Sequence, residues 1–440
     1  MLNKKNLCLI TNGLPGPAYH GGAVTCWAIV KAMLARGHRV TVLSLFDTSE
    51  FNPYLESKDI QTKALYDIGA HVEFVKYNYK ELIIKNNSNN IISKAVRRLY
   101  RLLNPEIGRF FPWAKLSSQV HDKLEKIRPD AIFVYHFDAL SAVYDLNIAP
   151  MMAGVGDLWH LPGYFRWKIN KPSFRKYFID GPYQLAYSII SKKLMLQMLF
   201  NCKKKGAFAA HYAEWLRKEK GFEDTLYLRT PAHDPVGNRW RELKDEYISE
   251  RENKNLKILM IGDITGTAAR WGLRLLINDV LPVLEKELGK NGFEIHLVGG
   301  GKIDKEFKIL YELPYIKVRG RIVRPDKEFL SSDILFVPTP ITLGIRVRII
   351  TGFSYGSCIV THKANTAGIP EIEHNKNALV SDSGTGLAKE IIRALKNTKL
   401  RQKLNQNARL TFEKFFSEQT AGGLIVEEIE KMAQGEQKWK

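Results

Sequence analysis

At 440 residues the chain exceeds what one hydrophobic core usually serves and suits two domains of about 200 residues each. Hydrophobic and charged fractions of 45% and 25% exclude a disordered chain, and no apolar run approaches the roughly 18–20 residues of a membrane span. The net charge of +20 is lopsided, because through Lys205 there are 29 Lys+Arg against 15 Asp+Glu.

The chain opens with a basic stretch, Met1–Asn6, running into a strand too short for the apolar region of a signal peptide. Short β-rich runs then alternate with longer helical windows, the pattern of βαβ units and parallel sheets. Predicted strands of the first half are Leu7–Thr11, Arg39–Leu45, His71–Tyr77, Ala131–Tyr135, Met151–Val155, Gly206–Ala210 and Thr225–Leu228. Helices are clearest over Gly22–Arg36 and Ala114–Lys126. Two basic stretches stand out. Asn90–Asn104 reads as a helix with Val96, Leu99 and Leu103 on one face and Arg98 and Arg101 largely off it; Arg166–Lys205 holds ten basic residues and one acid. Each is either a helix packed on its sheet with a solvated basic face, or a surface that binds anionic lipid.

Pro231–Asn255 carries proline, glycine and many charges without an apolar period, and reads as the linker. The predicted organisation is therefore an N-terminal domain over 1–235, a linker over 236–255, a second domain over 256–416, and a last helix over 417–440. Strands of the second series are Leu256–Ile261, Glu294–Val298, Ile316–Val318, Asp333–Val337, Cys358–Thr361 and Ala378–Val380; its helices include Leu273–Leu288, Gly384–Lys396 and Leu400–Phe416. The four cysteines are scattered with no CxxC, which suits a reduced, cytoplasmic compartment.

The most informative segment is Pro338–Pro370. A buried strand leads into a proline-punctuated loop, then Gly344, Arg346 and Arg348 in alternation, then an apolar helical run. A glycine-bearing loop at the start of a helix can hold an anion, since first-turn N–H groups are free and the helix dipole favours negative charge. Two guanidinium forks there suit a diphosphate. An ordinary loop with solvated arginines is the alternative. Ligands of such sheets bind outside the C-terminal strand ends, so two domains would hold theirs in the cleft between them.

Further patterns follow in order: Thr11–Pro15 leading to Gly21-Gly22, Ile258–Gly262 before Gly272, the HLVGGG run His296–Gly301, Val318–Gly320, and Gly368–Glu371. Together they resemble the GT-B glycosyltransferases, in particular the retaining family-4 (group 1) branch, over essentially the whole chain. The resemblance implies two Rossmann-like domains with parallel sheets facing across a cleft. The first would hold the acceptor and the second a nucleotide-sugar, and the last helix would cross back to the first domain. It implies that Gly21 and Gly22 admit the donor phosphates and that His136 is the active-site histidine near the reacting carbon. His160 and Asp157, after the next strand, are further candidates. Gly344, Ile345 and Arg346 match the diphosphate loop, Gly299 lies in the glycine run, and Arg321 falls in the segment that holds the base.

The chain departs from the pattern at Leu343 and Thr351, where the branch usually carries two glutamates. The arginine and lysine of its first loop fall at Asp263 and Trp271, so Arg270 and Arg348 are the substitute phosphate ligands, and Thr351 remains in the donor set. The implied activity is metal-independent transfer of a sugar from a nucleotide-diphosphate donor, with retention, to a hydroxyl acceptor. That acceptor is plausibly lipid-linked, in cell-surface polysaccharide or glycolipid assembly at the inner membrane face. No resident cofactor or metal is expected. A catalytically silent binding module of the same fold is the rival reading. A nucleotide-dependent oxidoreductase lacks a strand-linked GxGxxG, and a nucleic-acid binder lacks an aromatic-interleaved basic module.

Overall fold

The computed structural model describes residues 4–17, 21–50, 52, 55–83, 91–169, 178, 180–252, 255–263, 266–301, 304–322 and 324–434. Lys171, Arg175 and Lys176 of the second basic stretch lie outside the described residues. The chain forms two compact units. The first is built on a seven-stranded sheet: β1 (Asn6–Asn12), β2 (Arg39–Asp47), β3 (His71–Tyr77), β4 (Ala131–Tyr135), β5 (Met151–Val155), β6 (Lys204–Ala207) and β7 (Leu226–Tyr227). Their order is β3-β2-β1-β4-β5-β6-β7, and neighbours pair in parallel. Leu7–Ile10 and Ala131–Val134 are buried throughout, as strands covered on both faces require.

β6 starts two residues earlier than the predicted strand. Lys204 and Lys205 read as solvated charges, yet Lys205 buries its stem, with its ammonium over the Phe222 ring and 3.7 Å from Asp224. The helix Gly423–Gln434 belongs to this first unit. Its Ile425, Val426 and Ile429 are buried, and Glu430 accepts hydrogen bonds from Arg36 and meets His38 Nε2 at 2.7 Å. The predicted basic helix forms over Ile91–Leu103 with Val96, Leu99 and Leu103 more than half exposed. These three side chains therefore do not serve the core.

The second unit holds six strands: β8 (Leu256–Ile261), β9 (Phe293–Val298), β10 (Ile316–Gly320), β11 (Ile334–Val337), β12 (Ile359–His362) and β13 (Leu379–Ser381). Their order is β10-β9-β8-β11-β12-β13, again all parallel. The segment read as a linker is not one. It carries the helix Trp240–Ser249, which buries Trp240 and Lys244 within this unit, where the unit itself begins at Arg229. Trp240, Leu243 and Tyr247 form a helical stripe that the surrounding charges mask in the sequence. The predicted helix Leu273–Leu288 breaks into Thr267–Leu275, a π-turn over Leu276–Val280, and Leu281–Leu288. Pro282 lacks the N–H that a continuous α-helix would need there.

Near the N-terminal ends of β8 and β9 lies a buried ion cluster. Lys257 Nζ is 2.8 Å from Glu328 and donates to Ser331 at 2.7 Å, while His296 lies 3.2 Å from Glu328 and 3.1 Å from Glu294. Burial alone would raise the Glu328 carboxyl, but hydrogen bonds and charge from His296 and Lys257 bring it down to about 2. An ordinary glutamate titrates near 4.5. The stability this group supplies is therefore complete above pH 4.5 and lost as the pH falls toward 2, about 3 kcal/mol by linkage. Glu328→Gln is expected to lose about that much at neutral pH and to flatten the acid limb, read by urea unfolding across pH. An unchanged acid limb would remove Glu328 from this account.

Candidate active site

In the second unit the loop after β11 is tied down by Asn365. Its side-chain amide donates to Val337 O at 3.3 Å, to Thr361 Oγ1 at 2.9 Å and to Thr339 O at 3.4 Å. The loop then turns through Gly344, whose φ of +68° suits glycine, and enters the helix Val347–Ser354 with Arg346 as its N-cap. Arg346 donates to Leu343 O, so the loop closes on itself at the helix start. Ile345 lies between them, half-buried.

Arg348, in the first helical turn, crosses to β8. Its Nη1 donates to Ile261 O at 2.6 Å, and its guanidinium lies against Gly262. A Cβ at Gly262 would come within 2.6 Å of Nη1, and the φ of +135° there also requires glycine. Burial, with repulsion from Arg346, lowers the Arg348 guanidinium to about 9 against an opposing pull from Asp263. It remains a cation at neutral pH. Arg348, Ile261, Gly262 and Asp263 line one pocket with Thr339, Gly272 and Phe336 at the C-terminal ends of β8 and β11. Arg348 brings a guanidinium into this mostly apolar lining beside the Asp263 carboxylate, and the start of its own helix is a place where an anion is favoured.

The other predicted donor residues are distributed as follows. Arg270 does not point both its donors into the cavity: Nη1 is 2.8 Å from Asp304 and Nη2 3.1 Å from Glu306, which Arg274 shares. Gly299 donates its N–H to Gly320 O at 2.8 Å, joining the ends of β9 and β10, and Arg321 is exposed just beyond. Thr351 lies in the helix Val347–Ser354, where its carbonyl accepts from Ser354 Oγ at 2.7 Å. Leu343 is buried, so packing occupies a position where the resemblance implies a glutamate.

Gly21 and Gly22 open the helix Gly21–Ala35 that follows β1, and from Gly22 on that helix belongs to the first unit. His136 follows β4 directly and adopts a φ of +69°, a left-handed conformation uncommon for a non-glycine residue. Its imidazole lies on the backbone of Gly156, where a Cβ would meet Cε1 at 2.4 Å, and edge-on to Tyr135 at 4.4 Å. Burial holds its pKa below the ordinary value while the Asp157 charge opposes, so the ring is neutral at pH 7. Asp157 is exposed, and its charge reaches the His136 ring. His160 is not part of that pair. It is buried beside Trp215, its Nδ1 has no hydrogen-bond partner, and burial lowers it to about 4.

The residue missed is Asp138, two positions after His136. Its Oδ2 accepts from Asn12 Nδ2 at 3.0 Å, and burial pushes its carboxyl up to about 6. Its place just past a strand end was the available signal. Among the described residues no three His, Cys, Asp or Glu side chains converge as a metal site.

Residues 255–397 match the family described as Glycosyl transferases group 1. The matched residues lie within the second unit. Solved structures extend the likeness to the whole chain. A glycosyltransferase from Rickettsia africae ESF-5 is 16% identical over 98% of this chain and 99% of its own, with a TM-score of 0.61. Anabaena Alr3699/HepE, solved with UDP and glucose, is 14% identical over 96% and 99%, at 0.60. Sucrose-phosphate synthase from Thermosynechococcus elongatus is 12% identical over 98% and 100%, at 0.67. No curated protein matches the chain. At these identities the structures show the fold, that of GT-B glycosyltransferases, and the loop with Arg346 and Arg348 falls inside the residues that match the group 1 family.

Proposed function

We propose that this glycosyltransferase moves a sugar from a nucleoside-diphosphate donor to a hydroxyl acceptor, with retention and without a metal. The observation that carries the reading is the placement of Arg346 and Arg348 at one helix start, with Arg348 braced on Ile261 and Gly262. A departing diphosphate needs fixed positive charge and amide donors, and such preorganised groups stabilise it without reorganising during the reaction. The Anabaena structure with UDP and glucose makes a uridine donor the first to try. Screening UDP, GDP and ADP for thermal stabilisation tests the reading, since a ligand bound only by the native state raises Tm. No shift with any of the three would discard it.

The exposed apolar side chains of the helix Ile91–Leu103 support a second element of the proposal, docking on an anionic membrane during glycolipid or polysaccharide assembly. Val96, Leu99 and Leu103 share that helix with Arg98 and Arg101, and Leu185 and Ile189 are exposed on the helix Gly181–Phe200. Apolar burial plus attraction to anionic lipid is what such a face provides. Among the described residues no helix is long and apolar enough to cross a membrane. Co-flotation with phosphatidylglycerol vesicles, lost in Leu99→Asp and absent with neutral lipid, is the expected result. Equal recovery of both proteins would sink this element.

A further inference from the structure

Four residues far apart in sequence form a hydrogen-bonded relay at the C-terminal edge of the first unit's sheet. Trp113 Nε1 donates to Tyr77 Oη at 3.0 Å, Tyr77 donates to Asn12 Oδ1 at 3.0 Å, and Asn12 Nδ2 donates to Asp138 Oδ2 at 3.0 Å. Asn12 and Tyr77 end β1 and β3, and Asp138 follows β4, so the relay lies where ligands of open α/β sheets bind. It fixes the Asn12 amide and hence the orientation of the Asp138 carboxylate. The other oxygen, Oδ1, is shielded from solvent and has no hydrogen-bond partner. A buried carboxylate oxygen with nothing to accept from is uncommon in a settled core and calls for a partner.

Aromatic rings gather around the same edge. Trp113 stands edge-on to Trp159 with centroids 5.9 Å apart and lies 6.2 Å from Tyr79. Trp159 Nε1 donates to Tyr187 Oη at 3.4 Å. Tyr79 is 38% exposed and Trp159 and Tyr187 are half-buried, so these three present surface while Trp113 supports them from below. Aromatic faces beside a few fixed polar groups are the lining of a small-molecule site. Flat rings suit the C–H faces of a pyranose, and a lone carboxylate oxygen suits one hydroxyl.

We infer that Asp138 Oδ1 accepts a hydrogen bond from the hydroxyl of a neutral sugar acceptor, whose ring packs against Tyr79, Trp159 and Tyr187. This assignment rests on the transferase reading and deepens it: it names the residue that selects the acceptor and the class it takes. The carboxylate disfavours an anionic acceptor at that subsite, because a second negative charge there would be desolvated beside it. The basic helices then concern the surface on which the acceptor is presented, not the ring being glycosylated.

Isothermal titration of the full-length protein with phenyl β-glucoside, β-galactoside and α-mannoside, and with phenyl β-glucuronide, tests the inference. At least one neutral hexoside is expected to bind, and the glucuronide more weakly than the glucoside. Asp138→Asn should bind that hexoside at least about tenfold more weakly and lose much of the discrimination against the glucuronide, as expected for removal of a charged hydrogen-bond acceptor. Trp159→Leu tests the aromatic face without touching the carboxylate and should weaken binding as well. Unchanged hexoside affinity in Asp138→Asn, or no saturable hexoside binding by the wild type, overturns the inference. Nucleotide-induced thermal shifts run on the same proteins should be alike in wild type and Asp138→Asn. Their absence from the wild type would fault the donor reading separately.

Discussion

Arg348→Ala is expected to raise the donor KM and lower kcat together, with kcat/KM falling by about 10- to 100-fold. The range is that for removing a hydrogen bond to a charged group, roughly 1.5–3 kcal/mol. Both constants should move because, in the proposed reaction, the diphosphate is bound in the ground state and gains charge as the bond to the sugar breaks. The braced geometry makes the effect large. One donor of Arg348 holds Ile261 O at 2.6 Å, which fixes the guanidinium plane and aims its remaining donors, and Gly262 leaves the room it needs. Arg348→Lys keeps the charge but not the fork, so an intermediate loss is expected. Steady-state kinetics with varied donor decide the matter. Wild-type constants in Arg348→Ala would remove this residue from the donor site.

The second large effect concerns His136. His136→Ala is expected to lower kcat by about 100-fold with little change in donor KM, within the range for loss of a positioned proton-transfer or hydrogen-bonding side chain. Its left-handed backbone complicates an alanine substitution, since φ is +69°. Asparagine tolerates that conformation better, so His136→Asn separates loss of the imidazole from backbone strain. Gly156→Ala offers an independent test. The added methyl would overlap the ring at Cε1 and must displace it, so kcat should fall although the histidine is retained. Full activity in both His136→Asn and Gly156→Ala would show that the ring has no part in the reaction.

The strands were legible because a parallel sheet covered on both faces needs unbroken apolar runs, and Leu7–Ile10, Ala131–Val134 and Ile334–Val337 supply them. The glycine- and arginine-bearing loop was legible because Gly344, Arg346 and Arg348 lie within five consecutive residues. What was hidden depends on distance or on buried charge. Asn12 and Asp138 are 126 positions apart, and nothing local marks them as partners. Lys257, Glu294 and Glu328 read as surface residues, yet each is nearly inaccessible because its neighbours neutralise it. Trp240 and Lys244 were lost in the same way, inside a segment whose charge density concealed a helical stripe. Arg270 was assigned to phosphate on position alone, and position could not disclose Asp304 and Glu306 beside it.

The helix Gly423–Gln434 completes the first unit although the whole of the second unit precedes it in the chain. Until it arrives, the nascent N-terminal portion lacks Ile425, Val426 and Ile429 as a cover and Glu430 as the mate of Arg36. That half therefore waits, incompletely sealed, while the whole of the second unit is translated. A ribosome-released fragment ending at Leu228 should be sticky and bind hydrophobic dyes, and adding the missing helix as a separate peptide should quieten it.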